Sequence, residues 1–176
     1  MWLKLDLEGM KVQLQIKGYQ PSSRDYWDSQ WCKVDFVFVF PGCINYTKQD
    51  DEVLLSCEVE ELESKLDDFI NDKIIKSETL EFIEPDFVFE FQPSYNMVEA
   101  GVCSYAAPGH EMSAAIMAWK VHLWRDGLTD NYFSTTLDKE DMKNLRDYLR
   151  LVMGKLSKDS IEIRELVGKG MIGGQF

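Results

Sequence analysis

The sequence predicts an α+β domain: a curved antiparallel β-sheet, in one layer or folded into two, with two α-helices packed against it. Two observations lead to this fold class. Segments in which apolar and polar side chains alternate outnumber the segments with helical spacing, and most neighbouring strand-like segments are separated by a short turn. Short turns join antiparallel strands, whereas parallel strands need long crossovers, so we expect the strands to be antiparallel.

The first half of the chain contributes four predicted strands. Apolar and polar residues alternate over residues 3–7 and again over 12–16 with a short turn between them, which predicts a β-hairpin. Residues 31–40 are apolar on both faces after Asp35, a pattern typical of a central strand buried on both sides. The segment 44–47 is expected to return beside it.

Two segments have the 3.6-residue spacing of amphipathic helices. The first follows Ser56 and the second follows Asp138, both of them residue types that cap helices. The predicted buried faces are Val59, Leu62, Leu66, Phe69 and Ile70 in the first helix, and Met142, Leu145, Tyr148, Leu149 and Val152 in the second.

The rest of the chain is predicted to add strands and a tail. The strand candidates lie at 80–84, 87–91, 113–124 and 132–137, with a weaker candidate at 98–105. Because no linker interrupts the pattern, residues 1–167 are expected to form a single domain. The glycine-rich segment 168–176 is expected to be a flexible tail, with docking through Met171, Ile172 and Phe176 as the alternative.

The charge of the chain is unevenly placed. The 176 residues carry 31 acidic and 19 basic side chains, for a formal net charge of −12. Residues 50–90 contain 15 of the acids and 3 of the bases, so this stretch holds the whole excess. Such a chain is not expected to bind nucleic-acid phosphates or an anionic membrane surface.

Most of these acids are expected on the solvent side of the first helix and on the segments flanking it. Because its apolar residues occupy one face, the remaining arc should present an almost purely negative surface to water. We expect this surface to bind a basic protein. The predicted partner-binding residues are Glu58, Glu60, Glu61, Glu63, Asp67, Asp68, Glu84 and Asp86.

No catalytic residue, metal site or cofactor site is predicted. His110 in a loop and His122 in a strand lack partners at a metal-binding spacing, so ordinary surface and hydrogen-bonded histidines are the favoured interpretation. A nucleophilic cysteine beside either histidine would require a tertiary contact. The cysteines show no C-x-x-C pairing and are expected to be reduced, as in a cytosolic protein; they are Cys32, Cys43, Cys57 and Cys103. Neither a transmembrane helix nor a signal peptide is expected.

The polar loop before the predicted central strand contains several aromatic residues. Tyr19, Tyr26, Trp27 and Trp31 are costly to expose, which suggests either packing or binding. Packing that pins the loop to the core is favoured over a binding hot spot.

Three segments in order carry a resemblance to a known family. They are 25–34 (DYWDSQWCKV), 54–62 (LLSCEVEEL) and 80–90 (LEFIEPDFVFE). Their arrangement resembles the WapI family of bacterial immunity proteins, with its D-x-(N/D)-W-L-x-V strand, T-x-E-L-x-x-L helix and F-x-E-P-x-L-x-F strand. The resemblance covers roughly residues 1–95 and gives no counterpart for 96–110 or the tail. It implies protection against polymorphic toxins, many of them nucleases, and carries over no site residue.

The leading hypothesis is therefore a cytoplasmic immunity protein that binds a basic, nuclease-type toxin domain through its acidic helix face and catalyses nothing. A second hypothesis is a small-molecule-binding or enzymatic domain whose curved sheet encloses an aromatic pocket, with Trp119, Trp124 and Tyr105 as lining residues. A third is an interaction module whose acidic face serves only solubility. The sequence does not predict an oligomeric state.

Overall fold

The computed structural model describes residues 1–21, 29–125 and 127–174. Within these residues the strands are β1 (Trp2–Leu7), β2 (Met10–Lys17), β3 (Trp31–Phe40), β4 (Ile44–Leu55), β5 (Glu78–Glu81), β6 (Phe87–Gln92), β7 (Ile116–Trp124), β8 (Leu128–Leu137) and β9 (Ile172–Gly173). The helices are α1 (Ser56–Ile70), α2 (Lys139–Val152) and α3 (Ile161–Gly168). The predicted α+β class is confirmed.

The strands form two sheets. The first has the order β4-β3-β2-β1-β9, the second has the order β5-β6-β7-β8, and every neighbouring pair is antiparallel. Strand β3 lies in the interior of its sheet, as its apolar pattern predicted. The sequence predicted either one curved sheet or a sheet folded into two layers, and the structure has two separate sheets.

Aromatic side chains join the two sheets in one core. The Phe36 ring on β3 lies 4.9 Å from the Phe87 ring on β6, and the Phe38 ring lies 5.2 Å from the Trp119 ring on β7. All four of these side chains are buried. Edge-to-face packing of this kind adds about 0.5–1.5 kcal/mol per pair beyond the burial of area.

Both predicted helices pack on this core by the expected faces. On α1 the Phe69 ring lies 5.3 Å from the Phe91 ring at the end of β6. On α2 the buried Tyr148 hydroxyl accepts the backbone N–H of Ile16 at 3.0 Å. Asp138 caps α2, accepting the N–H groups of Glu140 and Asp141.

The cap of α1 differs from the prediction. Ser56 is the first residue of the helix, and its hydroxyl donates to the carbonyl of Gln30 at 3.2 Å rather than accepting a helical N–H. Helix entry is stabilised instead by Glu58, whose carboxylate accepts the N–H of Leu55 at 2.8 Å. The hydroxyl is diverted because Ser29 and Gln30, just before β3, contact this end of the helix.

Three further segments depart from the predictions. The weak strand candidate 98–105 forms turns within the long β6–β7 connection. Helix α3 was missed because only Ile163 and Leu166 of its eight residues are buried, too few to show a periodicity. The segment favoured as a flexible tail instead contributes β9, in which Ile172 pairs with Leu3 and is buried, as in the docking alternative.

Part of the aromatic loop is visible in the structure. Tyr19 packs against the core and its hydroxyl donates to Glu60 at 2.7 Å, while Trp31 begins β3. Tyr26, Trp27 and Phe176 lie outside the described residues.

Candidate functional site

The acids predicted to form one exposed surface fall into two groups. Glu58, Glu63 and Asp86 are buried, with 0%, 4% and 2% of their surface exposed. Glu60, Glu61, Asp68 and Glu84 are partly exposed, as is Asp67. The prediction of a uniformly solvated acidic face was therefore wrong for the first group. Their carboxylates are buried and accept hydrogen bonds from backbone N–H groups, lysines or an arginine.

Glu58 links two parts of the chain at the start of α1. One carboxylate oxygen accepts the N–H of Leu55, and the other accepts the N–H of Ile83 in the connection between β5 and β6, both at 2.8 Å. Burial raises the pKa of Glu58 despite these two donors, and the nearby carboxylates of Glu61 and Glu84 raise it further. Glu58 is thus a structural clamp with no surface to offer a partner.

Glu63 and Asp67 hold α1 against α2. Glu63 accepts from Arg150 Nε and from Lys155 Nζ, each at 2.6 Å. Asp67 bridges two arginines, with Arg146 at 3.0 Å and Arg150 at 2.8 Å. Burial acts to raise the pKa of Asp67, but the charges of Arg150 and Arg146 outweigh it and lower that pKa.

Asp86 is held by a lysine from the other sheet. Lys48 on β4 donates to Asp86 at 2.7 Å, lies 2.6 Å from Asp51, and has its ammonium 4.7 Å above the Trp124 ring. Burial raises the pKa of the Asp86 carboxyl, and Lys48 opposes this effect. This cluster connects β4 with the start of β6 and stabilises the packing of the two sheets.

These contacts change the meaning of the charge excess. Within residues 50–90 the acids draw bases from elsewhere in the chain, among them Lys48, Arg146, Arg150 and Lys155. Sequence proximity cannot reveal such pairing, because the partners are about 38 to 92 positions apart. The sequence offered one indication of this pairing, the arginines Arg146 and Arg150 on α2. They were interpreted as part of an ordinary solvated face, but they face α1.

We call the partly exposed acids Glu60, Glu61, Asp68 and Glu84 the open acidic patch. The word open refers to their exposure, because Glu60 accepts from Tyr19 and Asp68 pairs with Lys73. Glu61 and Asp68 lie seven residues apart on α1 and so share one face of the helix. Glu61 and Glu84 are each close enough to the buried carboxyl of Glu58 to raise its pKa. The patch has an apolar neighbour, Ile83, whose surface is 56% exposed.

The residues proposed to line an aromatic pocket do not meet. Trp119 is fully buried between Phe38 and Phe87, with ring centroids 5.2 Å apart in both cases. Trp124 lies at the end of β7 beneath Lys48, and Tyr105 is 77% exposed in the β6–β7 connection. The pocket expected under the second hypothesis is therefore not formed by these three side chains.

The candidate catalytic groups are also dispersed. His110 is exposed in a loop, and His122 is half-buried on β7 beside the Tyr132 ring at 5.4 Å. Cys32, Cys43, Cys57 and Cys103 are unpaired. In the described part of the chain, no cluster of three or more His, Cys, Asp or Glu side chains is arranged to hold a metal ion.

Sequence reasoning missed one surface feature. The connection between β6 and β7, residues 93–115, exposes five large apolar side chains: Tyr95, Val98, Val102, Tyr105 and Met112. The usable signal was its length, since ordered connections of more than about 12–15 residues are uncommon and often functional.

Comparison with protein families identifies the chain's relatives. The model of the immunity protein WapI-like family matches residues 3–156. The chain belongs to this family of immunity proteins. The match extends past the roughly 95 residues over which the motifs resembled the family, and it includes α1, α2 and the β6–β7 connection. Membership implies an immunity protein that acts against a toxin.

Two other comparisons add no relative. Neither the curated proteins nor the solved structures gave a match to this chain. Over residues 1–21, 29–125 and 127–174, no helix is both long enough and apolar enough to cross a membrane.

Proposed function

We propose that this immunity protein acts in the cytoplasm by binding a toxin domain with a basic surface, such as a nuclease, and that it catalyses no reaction itself. The open acidic patch on α1 and at Glu84 would form part of the contact. The observation that carries the proposal is the confinement of the chain's negative excess to residues 50–90, in a member of an immunity-protein family.

The two groups of acids have different roles in this proposal. Glu58, Glu63 and Asp86 position α1 and the β5–β6 connection, and Glu60, Glu61, Asp68 and Glu84 face the toxin. Complementary charge at the edge of an interface mainly accelerates association, which can reach about 10⁸–10⁹ M⁻¹s⁻¹ at low salt. Fast capture suits an inhibitor that must reach a toxin before the toxin reaches its substrate.

The test measures association between this chain and a candidate toxin domain taken from a neighbouring gene. The variant Glu61→Lys with Glu84→Lys is compared with Asp130→Lys and Glu165→Lys, which changes two exposed acids outside residues 50–90 and shifts the net charge equally. We expect the patch variant to slow association by roughly tenfold or more at low salt, and the control by less than about threefold. High salt should largely remove the difference.

Contrary results have separate meanings. Equal slowing by both variants would show that the net charge of the chain, and not the position of these acids, governs association. Undiminished protection of toxin-producing cells by the patch variant would count against this surface as the binding site. Failure of the unaltered chain to bind or protect would refute toxin binding itself.

A further inference from the structure

The β6–β7 connection, which we call the finger (residues 93–115), is held in shape by its own hydrogen bonds. Its two sides are joined by hydrogen bonds from Ser113 N to the carbonyl of Tyr95 at 2.8 Å and from Met97 N to the carbonyl of Glu111 at 2.7 Å. The Ser113 hydroxyl accepts the N–H of Tyr95 at 3.0 Å, and Asn96 pairs with Met112. The finger thus extends the β6–β7 hairpin beyond the sheet.

The tip of the finger has its own hydrogen bonds. The Asn96 side chain accepts the N–H groups of Val98 and Glu99 at 3.0 and 3.2 Å, and the Asn96 carbonyl accepts the N–H of Ala100 at 3.0 Å. Val102 N donates to the carbonyl of Met97 at 2.9 Å, which closes the turn. A tip pre-organised in this way loses less conformational entropy on binding than a disordered loop would.

The apolar side chains of the finger lie in water. Val102, Tyr105 and Met112 are 62%, 77% and 56% exposed, so they contribute little to the core of this chain. Of the thirteen large hydrophobic residues that are exposed in the described part of the chain, five lie in this finger. Tyrosine and methionine are enriched in protein interfaces, and exposed apolar clusters commonly mark them.

The finger is also free of positive charge. From Gln92 to Trp119 the sequence contains no lysine or arginine, and its acidic residues are Glu99 and Glu111. In β6, the strand that leads into the finger, Phe91 packs against the buried Phe69 of α1, which is next in sequence to Asp68 of the open acidic patch. An apolar, weakly negative projection therefore begins at the end of β6 that packs on the C-terminal part of α1, whereas Glu84 precedes the other end of this strand.

We propose that the finger is the apolar anchor of toxin binding, and that it inserts Val102 and Tyr105 into a cleft of the toxin domain that has apolar walls and a basic rim. This inference rests on the proposed function and deepens it. The carboxylates of Glu99 and Glu111 face the rim, and the acids of α1 meet the basic surface beyond it. The finger supplies the buried apolar area on which the lifetime of the complex depends, while the open acidic patch accelerates association.

The test separates these two contributions through rate constants. The double variant Val102→Ser with Tyr105→Ser is compared with a control variant, Ile161→Ser with Val167→Ser. The control removes two apolar side chains from α3 that are also more than half exposed. Binding to the same candidate toxin domain is followed by surface plasmon resonance, and folding is followed by thermal melting. We expect the finger variant to dissociate roughly tenfold faster or more, with association within about threefold of the unaltered chain. The control should leave both rates nearly unchanged.

A second measurement requires no substitution. Hydrogen exchange of the unaltered chain should slow at the amides of residues 97–105 when the toxin domain is bound. An unchanged dissociation rate in the finger variant, or unchanged exchange at these amides, would overturn the inference while toxin binding stands. The inference would also be overturned if the unaltered chain forms oligomers, the finger variant is monomeric, and both bind the toxin domain with the same affinity. If the unaltered chain does not bind, the proposed function itself fails.

Discussion

The carboxylate of Glu58 accepts the backbone N–H of Ile83 at 2.8 Å, joining the first turn of α1 to the connection between β5 and β6. In the same connection Ile83 is exposed and Glu84 is partly exposed. A buried acid thus sets the position of two residues that we propose to contact or border the toxin.

Replacing Glu58 by glutamine should lower the free energy of unfolding by about 1–3 kcal/mol. An amide has one acceptor oxygen, so either Leu55 N–H or Ile83 N–H would face an NH₂ group inside the protein. Urea denaturation measures the change. The matched substitution Glu61→Gln, at a partly exposed position on the same helix, should cost less than about 0.5 kcal/mol. Similar losses in the two variants would contradict the clamp.

Replacing Glu63 by alanine should cost on the order of 2–3 kcal/mol. The change leaves Lys155 without its carboxylate partner and leaves Arg150 paired with Asp67 alone. The cost should fall below that of a fully buried ion pair, because Lys155 keeps 52% of its side-chain surface in water. Asp68→Ala, which removes the exposed pair with Lys73, is the control and should cost less than about 1 kcal/mol. A smaller loss for Glu63→Ala than for Asp68→Ala would refute this assignment.

Asp67 should contribute to acid sensitivity. Its pKa is lowered in the folded protein by Arg150 and Arg146 against the effect of burial. A carboxyl whose pKa is lowered by folding stabilises the protein at pH values above its unfolded pKa of about 3.9. This contribution disappears as the pH falls through the folded-state pKa. The stability difference between the unaltered chain and Asp67→Asn should therefore be constant above about pH 5 and shrink at lower pH. Denaturation curves from pH 7 to pH 2.5 would show this; a difference that grows on acidification would contradict it.

The docking of β9 gives a prediction about the end of the chain. Ile172→Ala should destabilise the protein by about 2–4 kcal/mol, because Ile172 is buried and pairs with Leu3. Ile161→Ala, at a position that is 73% exposed, should change stability by less than about 0.5 kcal/mol. Thermal or urea denaturation compares the two. Equal and negligible effects would favour the flexible tail instead.

The parts of the fold that could be predicted are those with a strong local period. Alternation over 3–7 and 12–16 defined the first hairpin, and the helical spacing after Ser56 and Asp138 defined α1 and α2. Helix α3 and β9 were missed because eight and two residues are too few to show a period above local variation. They exist because α2 and β1 offer apolar surface that Ile163, Leu166 and Ile172 cover.

The candidate site was predictable only in part, since local charge density is visible in a sequence and pairing is not. Helical periodicity placed Glu63 and Asp67 on the solvent arc of α1. The packing of α2 across that arc brought Arg146 and Arg150 to them, from about 79 to 87 positions away.

By itself the sequence determined the α+β class, the amphipathic helices and the confinement of negative charge to residues 50–90, because each depends on residues close together in the chain. Only the tertiary structure decided which acids are structural and which are open. A carboxylate loses its hydration when it is buried, and it is retained only where a base or backbone N–H replaces the lost water. Arg150 and Lys155 provide that replacement for Glu63, Lys48 provides it for Asp86, and the N–H groups of Leu55 and Ile83 provide it for Glu58. The acids of the open acidic patch instead keep part of their surface in water.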